Sequence, residues 1–197
     1  MKMILKVALL LLLFAPLAHG QGPVIAGAGP VVEAGIGYSY VSGIVPSETR
    51  QGLNGAQIVA NADFTRRFGV KLDVGYARTF DSFHTGRTAD LLTYMAGPVV
   101  YLVRHRRTNA FAHVLVGAAR QTGVNFTNSG QLVLGYANEL AWAGGAGVQF
   151  PVSRSFSVRV GADYLRTQFF DSNVTLQKQS NLRGSVTLVY TFGERRE

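Results

Sequence analysis

One short segment of this chain combines a hydroxyl, an imidazole and carboxylates, the groups that could catalyse acyl transfer. Asp81, Ser82, His84 and Asp90 lie close together in the sequence. A serine nucleophile needs a base that a third group holds within hydrogen-bond reach, and a polar loop does not ensure that arrangement. We therefore favour a solvated loop and predict no catalytic residue. An enzyme that uses these residues for acyl transfer is kept as the alternative.

Metal and cofactor chemistry find no support in the residue types. The chain has no cysteine, which excludes disulfides and thiolate metal sites. No two histidines have the spacing of metal ligands. The glycine-rich run 144–147 lies inside a predicted strand, where small residues suit a crowded wall rather than a phosphate cradle. We expect no metal and no cofactor, and the low density of charge argues against nucleic acid as a partner.

The remaining ionisable residues recur on one face of segments whose other face is apolar. In the segment 181–192, Leu182, Leu188 and Phe192 share one face, and Arg183 lies on the other. This period of two predicts a strand between an apolar and a polar medium. In a soluble barrel that holds a small apolar ligand, the apolar face would point inward. In a membrane barrel it points outward to lipid, and the polar face fills the lumen.

The elements that must position these residues are eight such segments, joined by short and long connections in turn. Each has roughly ten residues, near the length of a tilted membrane strand. Tight turns at one end and longer loops at the other are typical of outer-membrane barrels. We predict an all-β, eight-stranded antiparallel up-and-down transmembrane β-barrel over 31–192, with a bulge at Pro98. The predicted strands are 31–41, 55–65, 69–79, 91–103, 110–120, 138–150, 156–166 and 181–192.

The two ends of the chain are predicted to lie outside the barrel. Residues 1–20 have the pattern of a cleaved secretory signal peptide: Lys2 and Lys6, an apolar stretch over 7–15, and a small-x-small site at 18–20. Residues 21–30 would form an N-terminal lead-in and 193–197 a short periplasmic tail. Export of this kind fits a protein of the bacterial outer membrane.

Aromatic residues are predicted to form two bands at the ends of the apolar belt, as in the interfacial girdles of membrane barrels. The loop-end band would contain Tyr38, Tyr40, Tyr76, Tyr94, Trp142 and Tyr164, and the turn-end band Phe64, Phe68, Phe111, Phe150, Phe156, Tyr190 and Phe192.

Taken together, these features resemble the small eight-stranded outer-membrane barrels of the OmpA-like transmembrane-domain and OmpX-like type. The last strand, which closes on Tyr190 and Phe192, resembles the C-terminal signal that the barrel-assembly machinery reads. The resemblance implies a monomeric barrel with no large pore and a structural or surface-interaction role. Some small barrels of this kind modify lipid A with a histidine, a serine and a carboxylate at the outer rim, so a rim-acting lipid A-modifying enzyme is the alternative. An adhesive site would lie in the longer loops, and the loop between the fifth and sixth strands is predicted to be the longest.

Parity along the strands predicts which charged side chains enter the lumen. An eight-stranded barrel is just wide enough to be filled by side chains, and charges there must be paired or hydrated. We predict a structural salt-bridge network and keep a gated proton or ion path as the alternative. The predicted luminal residues are Glu33, Asp63, Lys71, Asp73, Glu139, Arg159, Asp163 and Arg183, and His113 is also expected to face the lumen.

Two groups of arginines are predicted to face lipid headgroups. Arg78, Arg120 and Arg166 follow the loop-side ends of odd-numbered strands, where forked hydrogen bonds could hold lipopolysaccharide phosphates. At the turn end, the arginines face either anionic headgroups of the inner leaflet or only solvent, and the sequence leaves both readings open. This second group is Arg66, Arg67, Arg104, Arg106, Arg107, Arg154, Arg195 and Arg196.

Overall fold

A computed structural model describes residues 31–44, 50–82, 86–105, 107–126, 132–167 and 179–192. The predicted signal peptide, lead-in and tail lie outside these described residues. No described helix is long and apolar enough to cross a membrane. The eight strands are β1 (Val31–Ile44), β2 (Arg50–Asp63), β3 (Phe68–Thr79), β4 (Ala89–Arg104), β5 (Asn109–Phe126), β6 (Leu132–Pro151), β7 (Phe156–Thr167) and β8 (Gln179–Phe192).

Each strand pairs antiparallel with the next, and the last strand pairs with the first. The β1–β8 ladder runs from Val32 opposite Phe192 to Ile44 opposite Ser180, and it closes the barrel. This confirms the predicted eight-stranded up-and-down topology. A closed ladder gives every strand two neighbours, as a sheet that lies in hydrocarbon requires.

Side chains alternate between the outside and the interior along the strands. Along β3, exposed and buried residues alternate over almost the whole strand, with Val70 and Leu72 outside and Lys71 and Asp73 inside. The period of two that the sequence shows is therefore realised with apolar groups outside and charges inside. This arrangement does not fit the soluble barrel, whose apolar faces would point inward.

Arginine substitutions on the outer surface should measure how deeply each position lies in lipid. Ile58 lies at mid-strand opposite Ile36 and Val74, and all three side chains are exposed. We expect Ile58→Arg to reduce the free energy of unfolding by about 2–4 kcal/mol, the cost of a guanidinium near the bilayer midplane. Urea unfolding in phospholipid vesicles measures it. Leu182→Arg near the loop end is the control, with an expected cost of about 0–1 kcal/mol.

The bulge in β4 lies a few residues beyond Pro98, where it was predicted. The β4–β5 pairing skips Gly97 and Pro98 without changing register, whereas the register shifts between Tyr101 and Val103. Pro98 is exposed, and its missing N–H costs only local pairing. At the true bulge, Leu102 and Val103 both face outward. The extra residue therefore reverses the parity of the last residue of β4.

The connection between β5 and β6 is shorter than predicted. The ladder between these strands continues as far as Phe126 opposite Leu132, which leaves only 127–131 between them. The interval 168–178, between β7 and β8, is longer. The prediction that the third loop is the longest is therefore wrong, because its polar residues belong to an extended hairpin.

Candidate functional site

Seven of the eight predicted luminal residues are buried in the interior: Glu33, Asp63, Lys71, Asp73, Arg159, Asp163 and Arg183. Glu139 differs from them. It is half-buried and lies opposite Ala119, nearer the loop end of β6. The buried residues meet in three clusters of opposite charges.

The first cluster, here the Arg183 cluster, joins β3, β7 and β8. Arg183 donates from Nη1 to Asp73 Oδ1 at 2.7 Å and from Nη2 to Asp73 Oδ2 at 3.0 Å. The same guanidinium donates from Nε and Nη2 to Asp163 Oδ2, at 2.8 and 2.6 Å. Lys71 Nζ lies 3.1 Å from Asp73 Oδ2. Two cations therefore balance two carboxylates.

His113 extends this cluster to β5. Its Nε2 lies 2.9 Å from Asp163 Oδ1, and its ring stacks on Phe111, with centroids 5.9 Å apart. Phe111 is buried, so its predicted place in the turn-end aromatic band is wrong. It shares the parity of His113, two residues away, and both rings therefore point inward.

The second cluster, here the Arg159 cluster, lies nearer the turn end. Arg159 Nη2 donates to Glu33 Oε2 at 2.6 Å, and Gln149 accepts from Arg159 Nε at 3.1 Å. Gln149 Nε2 donates to Glu33 Oε1 at 3.0 Å, and Thr191 Oγ1 donates to the same oxygen at 3.4 Å. The Arg159 guanidinium also lies 5.0 Å from the centre of the Phe111 ring.

The third cluster pairs Arg104 with Asp63. The guanidinium of Arg104 stacks over the Tyr101 ring, 3.9 Å from its centroid. Arg104 was predicted to lie in a turn, because the bulge that brings its side chain inward cannot be recognised from the alternation of residue types. Across the three clusters, four cations meet four carboxylates: Lys71, Arg104, Arg159 and Arg183 with Glu33, Asp63, Asp73 and Asp163.

Glycines on β6 make room for the Arg183 cluster. A Cβ at Gly145 would lie 2.0 Å from Asp163 Oδ1, and one at Gly147 would lie 2.6 Å from Phe111 Cζ. Only a residue without a side chain fits at these points. The run of small residues in β6 is thus the wall against which the buried carboxylate and the ring pack.

The interior becomes apolar toward the loops. Along β3, the buried Ala77 follows Asp73 toward the loop end; along β7, the buried Leu165 follows Asp163. The charges therefore occupy the turn side of the interior, a division that parity alone does not predict. The apolar layer consists of Val41, Ala77, Leu91, Met95, Leu115, Ala119, Ala141, Ala143 and Leu165, with Leu53 packed against it.

The three loop-end arginines occupy different surroundings. Arg78 is held by Asp90 at 2.5 and 3.0 Å, and Tyr76 donates to the same carboxylate at 3.1 Å. Arg120 is exposed and Arg166 is half-buried. On β6, their partners Asn138 and Trp142 are four residues apart, about 13 Å along a strand. The barrel does not bring these arginines into one cluster.

The residues that suggested acyl transfer are engaged separately. Ser82 is buried and its hydroxyl donates to Gln51 Oε1 at 3.2 Å. Asp81 Oδ1 accepts from the Gly86 N–H at 2.9 Å, and Asp90 holds Arg78. His84 lies outside the described residues. Within the described part of the chain, these contacts assemble no nucleophile and base.

The two aromatic residues of the predicted assembly signal lie on the outer surface of β8. Tyr190 and Phe192 are both exposed, and their rings meet edge to face with centroids 4.8 Å apart. Tyr190 also contacts Phe156 on β7 at 5.2 Å. This aromatic group closes the turn end of the apolar belt beside the point where β8 meets β1.

Comparison with known proteins agrees with this architecture. The family model of the outer membrane protein beta-barrel domain matches residues 7–192. No curated protein matches the chain. Among solved structures, Ail of Yersinia pestis in complex with the heparin analogue sucrose octasulfate is similar, with 16% identity, TM-score 0.57, and coverage of 84% of this chain and 100% of that one.

Two further structures share the fold. Neisserial surface protein A gives a TM-score of 0.64 at 11% identity, over 84% of this chain and 98% of that one. OprG from Pseudomonas aeruginosa gives 0.54 at 10% identity, over 84% and 96%. At such low identity these likenesses establish the fold alone.

Proposed function

Because this chain belongs to the outer membrane protein beta-barrel family, we propose that it is a closed barrel of the bacterial outer membrane with a structural or surface-interaction role. The observation that carries this proposal is the filled interior. Three ion-pair clusters occupy its turn side, and an apolar layer occupies its loop side. Since side chains fill an eight-stranded barrel, solutes have no open path.

Conductance tests this proposal. Purified protein inserted into planar bilayers should show no stable open state at moderate voltage. Insertion is verified independently by the change in gel mobility on boiling, which folded barrels show. A reproducible unitary conductance from the folded, inserted protein would contradict the closed barrel and favour the gated path.

The β5–β6 hairpin supports a surface-interaction role. Pairing of β6 with β7 begins at Ala141 opposite Thr167, so Leu132–Leu140 has described partners only on β5. We assign the surface contact to this extended hairpin, which continues beyond the last described pairing of β6 with β7. Replacing 124–134 by an Asn-Gly turn should preserve folding and abolish most adhesion of expressing bacteria to immobilised matrix proteins. Unchanged adhesion would contradict a role for the hairpin.

The loop-end arginines support contact with lipopolysaccharide. We assign the contact to Arg78, Arg120 and Arg166 together, and the test variant changes the two that lie on β5 and β7. The variant Arg120→Gln/Arg166→Gln should retain several-fold less lipopolysaccharide through purification, since each guanidinium offers forked donors to phosphate. The control is Arg67→Gln/Arg107→Gln, two exposed arginines at the opposite end. If both variants retained equal amounts of lipopolysaccharide, the result would contradict this assignment.

Export and assembly complete the proposal. Cleavage after residue 20 would release the chain into the periplasm, where the barrel-assembly machinery would read Tyr190 and Phe192. We expect the protein to be a monomer in the membrane. Phe192→Ala should lower the amount of heat-modifiable protein in the outer membrane while precursor accumulates, and immunoblots of fractionated cells measure both. Leu188→Ala is the control, since it removes an apolar side chain of the same strand and face.

A further inference from the structure

Two of the turns share one sequence pattern. The β2–β3 turn reads Phe-Thr-Arg-Arg-Phe over 64–68, and the β6–β7 turn reads Val-Ser-Arg-Ser-Phe over 152–156. Each is an apolar residue, a hydroxyl residue, an arginine, a variable residue and a phenylalanine. The likeness continues along β3 and β7, where Val70, Lys71, Tyr76 and Arg78 correspond to Val158, Arg159, Tyr164 and Arg166.

The hydroxyl residue caps both turns in the same way. Thr65 Oγ1 accepts from the Phe68 N–H at 2.9 Å, and Ser153 Oγ accepts from the Phe156 N–H at 3.0 Å. The carbonyl of each phenylalanine accepts from the N–H of the hydroxyl residue, at 3.1 Å in the first turn and 3.0 Å in the second. Such side-chain caps hold a tight turn in one conformation.

A further bond anchors each turn to the second strand after it. The carbonyl of Arg67 accepts from the Tyr101 N–H of β4 at 2.8 Å, and the carbonyl of Ser155 accepts from the Thr191 N–H of β8 at 2.8 Å. The backbone of both turns is thus fixed by equivalent bonds. The central arginine is therefore presented from the same rigid frame twice, on opposite sides of the eight-stranded barrel.

Exposed apolar side chains flank both arginines in the turns. Arg66 lies between Phe64 and Phe68, which are 57% and 56% exposed. Arg154 lies between Val152 and Phe156, also exposed. None of the three short turns contains an acidic residue in its sequence. The nearest carboxylate along the chain, Asp63, is buried and paired with Arg104.

We propose that Arg66 and Arg154 form two matched sites for the phosphate of anionic phospholipids in the periplasmic leaflet. The flanking apolar side chains place each guanidinium at headgroup level, where the lipid belt ends. A guanidinium offers paired donors that match phosphate oxygens. Zwitterionic headgroups carry their own ammonium, which competes for the phosphate, so an anionic headgroup is preferred.

Native mass spectrometry tests the proposal on the full mature chain. The protein is released from mixed micelles with equal amounts of phosphatidylglycerol and phosphatidylcholine, and the ratio of the two bound lipids is measured. The wild type should favour phosphatidylglycerol. Arg66→Gln and Arg154→Gln should each lower that preference about fivefold, and the double variant should lower it by the product. Boiling-dependent gel mobility verifies that every variant is folded.

Two further variants distinguish a specific lipid-binding site from a general effect of positive charge. Arg87→Gln removes an exposed arginine at the loop end and should leave the preference unchanged. Thr65→Val/Ser153→Ala keeps every charge but removes both caps, and it should lower the preference measurably. An equal loss in Arg87→Gln would overturn the proposal, and so would an unchanged ratio in the cap variant.

Two other ligands of the same arginines, free phosphate and peptidoglycan, would give different results. If inorganic phosphate at the lipid concentration displaces phosphatidylglycerol completely, the sites are for the free ion and the headgroup assignment is overturned. If the arginine variants keep their lipid preference but no longer bind purified peptidoglycan, the partner is the cell wall and the proposal is likewise overturned.

Discussion

Arg183→Met should reduce the free energy of unfolding of the barrel by about 3–5 kcal/mol, as expected when one partner of a buried ion pair is removed. Arg183 supplies four hydrogen bonds to two carboxylates on different strands. Without it, the ionic contacts that remain among the described residues are that of Asp73 with Lys71 and that of Asp163 with His113. Methionine has a similar volume, so the loss reflects charge rather than packing. Reversible urea unfolding in phospholipid vesicles measures it.

A double variant distinguishes the effect of an unpaired buried charge from the effect of lost side-chain packing. Arg183→Met/Asp163→Leu removes one cation and one carboxylate and leaves Lys71 paired with Asp73 at 3.1 Å. Because replacing a whole buried pair by apolar residues is often nearly neutral, the double variant should be more stable than Arg183→Met alone. The exposed Arg87→Met should change stability by less than about 0.5 kcal/mol. Additive losses in the double variant would contradict the charge-balance argument.

Gly145→Ala should reduce the free energy of unfolding by about 3 kcal/mol, the upper end of the usual cost of overpacking. The new Cβ would lie 2.0 Å from Asp163 Oδ1 and 2.7 Å from the carbonyl oxygen of Ala162. The backbone atom cannot move without separating β6 from β7, and moving the carboxylate breaks its bonds to Arg183. Urea unfolding and the temperature at which gel mobility changes both report the loss.

Gly184→Ala on β8 is the matched control. A Cβ there meets nothing within 4 Å and points outward. Since alanine restricts the unfolded chain more than glycine, this variant should be neutral or more stable by about 0.5–1 kcal/mol. If the two glycine variants lose stability equally, the clash with Asp163 is not the cause.

The fold could be predicted from the sequence because its governing signal is local. A period of two fixes which side of a strand each residue faces, and the inward placement of Lys71, Asp73 and Arg159 follows from it directly. The connections that alternate between short and long then fix the order of the strands. The family match agrees with both inferences.

The contacts inside the barrel could not be predicted in this way. Arg159 and Glu33 are far apart in the sequence, and they meet only because closure and strand stagger bring β7 toward β1. Arg104 was missed because one extra residue at the bulge reverses its side. Phe111 was predicted to face the membrane but points into the interior, because aromatic residues occur both in interfacial girdles and in barrel interiors. The matched turns were visible as a repeat of the pattern from 64–68 at 152–156.

The balance of charges inside the barrel has a consequence for neighbouring copies of the protein. Because the three interior clusters cancel, the formal excess comes entirely from residues outside them; it is +8 for the full chain, and +6 once the predicted signal peptide with Lys2 and Lys6 is removed. A net positive charge makes like molecules repel, over a range of about 8 Å at physiological ionic strength. We therefore expect lateral crowding in the bilayer to be limited by electrostatic repulsion, which anionic lipids between the barrels would relieve.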